Sequence, residues 1–413
     1  MTSNQTINPR TPKGMRDFLP REKRGRDSVL KKMIETFESY GFEPLETPPV
    51  ELKEILQGKI GAEEKLIYDV SYKGDTPLAL RYDLTVPLAR VVAQYPELPK
   101  PFKRYQIGNV YRGENTQKGR FRQFLQVDVD TVGSTSTLAD AEVIGLALDV
   151  YRKLGLKVKI LVNSRELLLS KIVEAGAPED KKVSVAGTID KVGKIGKAGV
   201  LAELQEKGLP TETTETIFST IKNAEPDEKI KAIFGLLNSA GFKEGEDFVF
   251  DPFLARGLDY YTGAVFEVDA LGYEGGSVGA GGRYDNLIGN FARESQPAVG
   301  FSFGFDRTLE ALAEQKLSRS EGPTAKVLVT IFDEKLAPQS FKLATELRKL
   351  VPTELYTASG GLEKQLKYAD VKGISYVAIL GPKEIESNQV TIKNLATKDQ
   401  QTVAVDQAAS ILQ

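Results

Sequence analysis

The chain has 413 residues, 41% hydrophobic and 27% charged, with a formal net charge of −2, the composition of a globular protein of two or three domains. It contains no cysteine, histidine or tryptophan, which excludes disulfides, thiolate zinc sites and cysteine or imidazole catalysis. Any proton transfer therefore falls to carboxylates, lysine, tyrosine, water or the substrate itself. No apolar run approaches the length of a membrane span, and MTSNQTINPR lacks the layout of a signal peptide, so the expected location is cytoplasmic. The near-zero net charge does not advertise a nucleic-acid partner, although a local patch can supply one.

In chain order, Thr11–Pro20 is a loop punctuated by proline and glycine. Residues 21–40 follow as a helix, with Val29, Leu30, Met33, Ile34 and Phe37 on one face and Gly41 as its stop. Glu43–Pro49 reads as an extended or edge segment because of its prolines, and 50–58 as a helix. Residues 66–73 and 77–83 read as paired strands joined by Gly74-Asp75, and Thr85 caps a helix with Pro87 near its first turn.

Arg104–Asp130 is a long antiparallel hairpin whose loop, GENTQKG, has turn chemistry at both ends. A helix (138–154) and a strand (156–163) follow. The stretch 165–245 is mostly helical and poor in aromatics, and reads as an insertion. Residues 248–310 return to strands and glycine turns, ending in a glycine-rich strand that feeds a helix near Asp306. After a linker at 321–325, strands at 326–332, 353–357, 375–380 and 389–393 alternate with helices at 336–350 and 362–371. That pattern predicts a small α/β domain with a largely parallel sheet.

Four polar clusters sit on otherwise apolar strands. Alternation places Arg81, Asp83 and Thr85 on one face, where carboxylate and hydroxyl suit an ammonium group. The hairpin carries Arg104, Arg112, Glu114, Lys118, Arg120, Arg122, Gln126 and Asp130. Guanidinium groups on rigid strands suit bidentate binding of carboxylate or phosphate, and Phe121 or Phe124 is placed to stack on a base. The third cluster is Arg256-Gly-Leu-Asp-Tyr-Tyr-Thr-Gly263, with two tyrosines able to read a polar ring. The fourth joins Gly279-Ala-Gly-Gly-Arg-Tyr-Asp285 to Gly300–Arg307, where glycines admit a ligand to the backbone and an arginine stands at a helix start. No Walker loop or dinucleotide fingerprint occurs. An arginine-lined, glycine-floored antiparallel site fits phosphoryl or adenylyl transfer, in which positioning and charge stabilisation do the work.

These residues resemble the histidyl-tRNA synthetases, of the class II aminoacyl-tRNA synthetases, over almost the whole chain. Thr47-Pro48 looks like motif 1, YRGENTQKGRFRQFLQVDVD like motif 2 and GFSFGFDRTLEAL like motif 3. RGLDYYTG and GAGGRYD resemble the two histidine-specific signatures. The resemblance implies an α+β catalytic domain with a mostly antiparallel sheet flanked by helices (1–164 and 246–320), a helical insertion (165–245) and a small α/β anticodon-binding domain (325–413). It implies that L-histidine is activated with ATP to histidyl-adenylate and pyrophosphate, then transferred to the terminal adenosine of tRNA(His). Mg2+ would come with ATP rather than through a protein metal motif, and the chain would be a homodimer.

By the same resemblance, Arg112 and Arg256 are the catalytic pair at the α-phosphate, with Arg112 also on the substrate carboxylate. Glu114, Arg120, Phe124 and Arg307 bind ATP: Glu114 at the adenine amino group, Phe124 under the ring, Arg120 near the phosphates and Arg307 at the γ-phosphate. Asp83, Thr85 and Gln126 grip the α-amino group, and Asp130 and Tyr261, with Tyr260 nearby, bracket the imidazole. Position 106 is glutamine, where related chains often carry histidine. A non-catalytic relative, the regulatory subunit of ATP phosphoribosyltransferase, shares RYDLTVPLAR-like and GGRYD-like sequences. It typically lacks the C-terminal domain, so the ligase is the expected reading. Residues 326–413 hold 11 basic and 10 acidic residues, so tRNA contact there rests on a local surface, with Lys364 and Lys367, beside Gln365, as the candidates.

Overall fold

A computed structural model of the chain describes residues 7–57, 61–116, 119–256, 260–317 and 322–412. Two compact units emerge, Met1–Phe18 with Arg26–Ser318 and Leu19–Gly25 with Arg319–Gln413.

The first unit is built on an eight-stranded sheet. Its strands are β1 (Glu43–Pro44), β5 (Phe102–Tyr111), β6 (Gln123–Val132), β7 (Val158–Ser164), β8 (Phe248–Phe250), β9 (Ala264–Ala270), β10 (Gly279–Arg283) and β11 (Ala298–Phe303). The order is β1-β5-β6-β11-β10-β9-β7-β8, antiparallel except for β1 with β5 and β7 with β8. A three-stranded sheet of β2 (Val50–Leu52), β3 (Asp69–Val70) and β4 (Leu78–Leu80) flanks it.

Side-chain alternation gives the large sheet two unlike faces. Tyr105, Val127, Val129, Phe266, Val268, Phe301 and Phe303 form the apolar face. They pack with Met33 and Phe37 of α1 (Pro20–Ser39), with α4 (Thr137–Leu154) and with Phe305, Ala311 and Leu312 of α10 (Phe305–Glu314). Helix α4 is capped by Ser136, whose hydroxyl accepts the Leu138 N–H at 3.2 Å. It ends at Gly155, where φ of 79° lets the chain turn left-handed. The opposite face of the sheet carries the polar residues.

Tertiary pairing overrides local pattern at one place. Residues 50–58, expected as a helix, open with strand β2 paired to β4, and only Lys53–Leu56 (α2) is helical. Pairing to β4 also buries Glu51, which meets Arg90 at 2.8 Å. The cap expected of Thr85 for α3 (Thr85–Gln94) is supplied by Asp83, whose carboxylate accepts the Val86 N–H at 3.1 Å.

Between β7 and β8 run α5 (Arg165–Glu174), α6 (Lys182–Ile189), α7 (Val192–Glu206), α8 (Thr211–Lys222) and α9 (Glu228–Ser239). Leu168, Ile172, Val185, Ile189, Val200, Leu204, Ile217 and Ile221 give this stretch an apolar cluster of its own.

In the second unit, β12 (Val327–Val329), β13 (Thr353–Leu355), β14 (Tyr376–Ile379), β15 (Gln389–Asn394) and β16 (Gln400–Ala404) lie in the order β13-β12-β14-β15-β16. Only β12's two pairings are parallel, so the sheet is half parallel rather than largely so. Strand β16 went unpredicted because Gln400-Gln-Thr-Val-Ala404 is mostly exposed and has weak alternation. Helices α11 (Ala337–Leu347), α12 (Leu362–Lys372), α13 (Pro382–Glu386) and α14 (Ala408–Leu412) complete the unit.

Candidate active site

The hairpin β5–β6 is in register from Phe102↔Val132 to Tyr111↔Gln123. Because Val127 and Val129 face the core, Phe124, Gln126, Asp128 and Asp130 must share the other face. Across the ladder stand Val110, Gly108, Gln106 and Arg104. Arg104 is fully buried, and its Nη2 lies 2.7 Å from Asp130 Oδ2. Tyr284 donates its hydroxyl to the other Asp130 oxygen. Gln126 Nε2 donates to Asp128 Oδ2 at 2.7 Å, leaving Gln126 Oε1 buried and unpartnered.

Two glycines make room beside this row. Gly300 pairs with Asp130 on one side and Gly282 on the other. A Cβ on Gly300 would sit 1.9 Å from Asp130 Oδ1, and one on Gly282 would sit 2.7 Å from the Tyr261 ring. Only glycine at both positions lets the carboxylate and the phenol lie over neighbouring strands. Tyr260 and Tyr261 have ring centroids 4.8 Å apart, and Tyr260 meets Tyr284 edge-on at 5.8 Å.

Charge on this face is lopsided. Asp83, Asp128 and Asp130 are all buried, with Arg104 among them. Burial pushes the Asp83 carboxyl above its usual range, against the Val86 N–H, Arg112 and Arg104. Asp128 is pushed up to about 7 by burial, with Arg104 opposing and Asp130 adding to the rise. Asp130 is also raised by burial, while Arg104 and Tyr284 pull it back. Burial raises the Tyr260 and Tyr261 hydroxyls too, so both stay neutral donors. Such a face favours a cation with N–H donors over an anion.

Arginines stand at the margins. Arg112 Nε donates to the Tyr82 carbonyl at 3.2 Å, and its guanidinium lies 4.3 Å from the Tyr82 ring and 5.0 Å from the Phe124 ring. Arg256 pairs with Glu267 at 2.8 Å. Burial works against its charge, but Tyr261 and Glu267 outweigh it, so its pKa is raised. At the loop end, the exposed Arg120 meets Glu114 at 3.4 Å. Arg307, in the first turn of α10, donates to the Ser277 carbonyl at 3.0 Å. A Cβ on Gly119 would be 3.6 Å from Arg307 Cγ, so the hairpin loop reaches that helix.

Asp83, Gln126, Asp130, Tyr260 and Tyr261 thus gather on one side, Arg112 and Phe124 stand at the hairpin's outer end, and Thr85 opens α3. Of the two phenylalanines open for base stacking, Phe121 is covered by Arg16, 3.3 Å from its centroid, and Phe124 keeps the site face. Lys118 and residues 257–259 lie outside the described residues.

Two expected members belong elsewhere. Arg81 turns away to the Asn109 carbonyl (2.8 Å) and the Thr47 carbonyl (2.7 Å), because residues 81–84 are not a strand and alternation does not apply. Arg283 clamps Asp140 bidentately at 3.0 and 2.6 Å and anchors α4. Asp128 and Glu267 went unsingled in the sequence, as did the partnerships of Arg104 and Tyr284 with Asp130. Alternation in QVDVD, VFEVD and GGRYD was the available signal. Gln106, the departure noted above, donates to Thr47 Oγ1 at 2.8 Å and ties the hairpin to the motif 1-like segment.

A sequence profile described as histidyl-tRNA synthetase matches residues 14–308, and one described as an anticodon binding domain matches 326–413. The chain belongs to the histidyl-tRNA synthetase family. The histidine–tRNA ligase of Phocaeicola vulgatus is 36% identical over 450 residues, covering 98% of this chain and 99% of that protein. That of Wolinella succinogenes is 38% identical and covers 100% of both. Among solved structures, the histidyl-tRNA synthetase from Nostoc sp. PCC 7120 matches with a TM-score of 0.84 at 31% identity, over 98% of this chain and 99% of that one. The antiparallel sheet flanked by helices and the C-terminal α/β unit agree with that architecture. Among the described residues no helix is long and apolar enough to cross a membrane.

Proposed function

We infer that the chain ligates L-histidine to tRNA(His) in two steps, using ATP. The observation that carries the reading is the single polar face of β6, with Phe124 beside Arg112 at one end and Gln126 and Asp130 at the other. One strand then touches nucleotide and amino acid together.

In the first step the histidine carboxylate attacks the α-phosphorus, and pyrophosphate leaves. Arg112 and Arg256 stabilise the charge that builds on the α-phosphate oxygens. Glu114 takes the adenine amino group, Phe124 the ring, and Arg120 and Arg307 the outer phosphates. Asp83, Thr85 and Gln126 hold the ammonium group, Gln126 through its unpartnered Oε1. Asp130 and Tyr261, with Tyr260, take the imidazole edges, and a site that bonds both ring nitrogens rejects isosteres lacking them. Mg2+ bound with ATP would supply charge neutralisation beside Arg120 and Arg307.

In the second step the terminal adenosine hydroxyl attacks the acyl carbonyl and AMP leaves. With no histidine in the chain, that hydroxyl's proton passes to something other than a protein imidazole. Residues 1–164 and 246–320 act as the catalytic domain, 165–245 as an insertion and 325–413 as the anticodon-binding domain, where Lys364 and Lys367 touch tRNA. The working form is a cytoplasmic homodimer joined through the Thr47-Pro48 region. The C-terminal unit and the Arg112, Arg256 and Arg307 set favour a ligase over a phosphoribosyltransferase regulatory subunit. Charging of tRNA(His) with labelled histidine tests the reading. Acid-precipitable histidyl-tRNA is expected, and folded protein that forms none would refute it.

A further inference from the structure

We propose that Arg16 is a positioning residue for ATP, locking together the two chain segments that carry Arg120 and Arg307. This rests on the ATP roles given above to those two arginines. The segment before α1 is drawn across the hairpin's loop end. Gly14 holds φ at +82°, and its carbonyl accepts the Arg122 N–H at 2.9 Å and the Gln123 N–H at 3.3 Å, where β6 begins. A Cβ on Gly14 would lie 2.7 Å from Thr116 and 2.8 Å from Arg122, so only glycine permits this approach.

Two residues on, Arg16 faces both segments. Its guanidinium carbon is 3.3 Å from the Phe121 ring centroid, and its Nη2 is 2.9 Å from Asp306 Oδ1. Phe121 directly follows Arg120, and Asp306 directly precedes Arg307. One planar cation therefore spans from the motif 2-like loop to the first turn of α10. A stacked, partly desolvated guanidinium suits that task better than an ammonium, which lacks the flat face. Asp306 also pairs with Arg26 at 2.7 Å, so α10 stays tied to α1 when Arg16 is lost, and the fold does not depend on Arg16 alone. Arg16 need not touch the nucleotide. It sets the spacing of groups that do, and a displacement on the order of 1 Å can cost about a hundredfold in rate.

The test is histidine-dependent ATP–pyrophosphate exchange, with ATP and histidine varied separately, for the wild type, R16A, R16K, F121L and R16A/F121L. R16A should raise KM for ATP roughly tenfold or more and leave KM for histidine within about twofold. R16K, which keeps charge without the plane, should recover only part of the loss. The double variant should be no worse than the poorer single one, as expected of two residues acting through one contact. Calorimetric ATP binding and circular dichroism on the same samples separate this from misfolding. Equal rises in both constants, full rescue by R16K, or ATP binding that falls only with loss of folded protein would each overturn the assignment while leaving the ligase reading intact. A wild type without exchange would remove the ATP reading and this inference with it.

Discussion

Asp128 and Asp130 are neighbours on one strand face, buried with Arg104. Asp128's pKa near 7 in the folded chain stands above its unfolded value near 4. The folded state then holds a proton that the unfolded state releases, so stability falls as pH rises from about 4 to about 7. D128N should flatten that slope and be the more stable protein at pH 8. Urea unfolding at pH 5 and pH 8 measures it, and a variant less stable than wild type at pH 8 would contradict the charge argument. Asp128 nevertheless has a use: its Oδ2 accepts from Gln126 Nε2, which leaves the Gln126 oxygen turned toward a donor. Tyr261 supplies the complementary test. Y261F removes one hydroxyl, and KM for histidine should rise about tenfold while KM for ATP stays within about twofold. A shift in both constants would place the hydroxyl in the framework rather than on the substrate. Asp130 and Tyr261 were legible from the motifs that contain them. Asp128 was not, because an alternating QVDVD does not reveal which of two aspartates will pair with Arg104 and Tyr284 and which with Gln126.

The hairpin was readable as an element because β-branched and aromatic residues alternate with polar ones along its second strand. Val50-Glu51-Leu52 was not, since three residues carry no period and their state is decided by β4, well separated in sequence. Helix α12 illustrates both outcomes. Its existence was plain, but Gln365 is buried, donating to the Ile331 and Gly360 carbonyls at 2.8 Å and accepting the Ile331 N–H at 2.9 Å. It holds the helix to the end of β12 and is removed from the candidate tRNA face. Lys364 and Lys367 remain exposed on that helix. K364Q/K367Q should weaken tRNA charging several-fold, with a smaller salt dependence, and leave pyrophosphate exchange unchanged. Equal loss of both activities would show that the pair supports the fold rather than the tRNA.

At the scale of the molecule, composition excluded whole chemistries before any motif was read. The absence of cysteine and histidine left arginine, carboxylate and tyrosine as the available tools, and those are what the polar face of the sheet collects. Composition could not locate the site, because a net charge of −2 conceals a carboxylate-rich face beside an arginine-lined margin. That juxtaposition is the central claim: one end of the face takes a cationic, N–H-bearing amino acid and the other a nucleotide. ATP–pyrophosphate exchange measured with each of the twenty amino acids tests it most directly. Exchange should depend on histidine and on no other amino acid. Folded protein that exchanges with none, or with another amino acid as fast as with histidine, would contradict it.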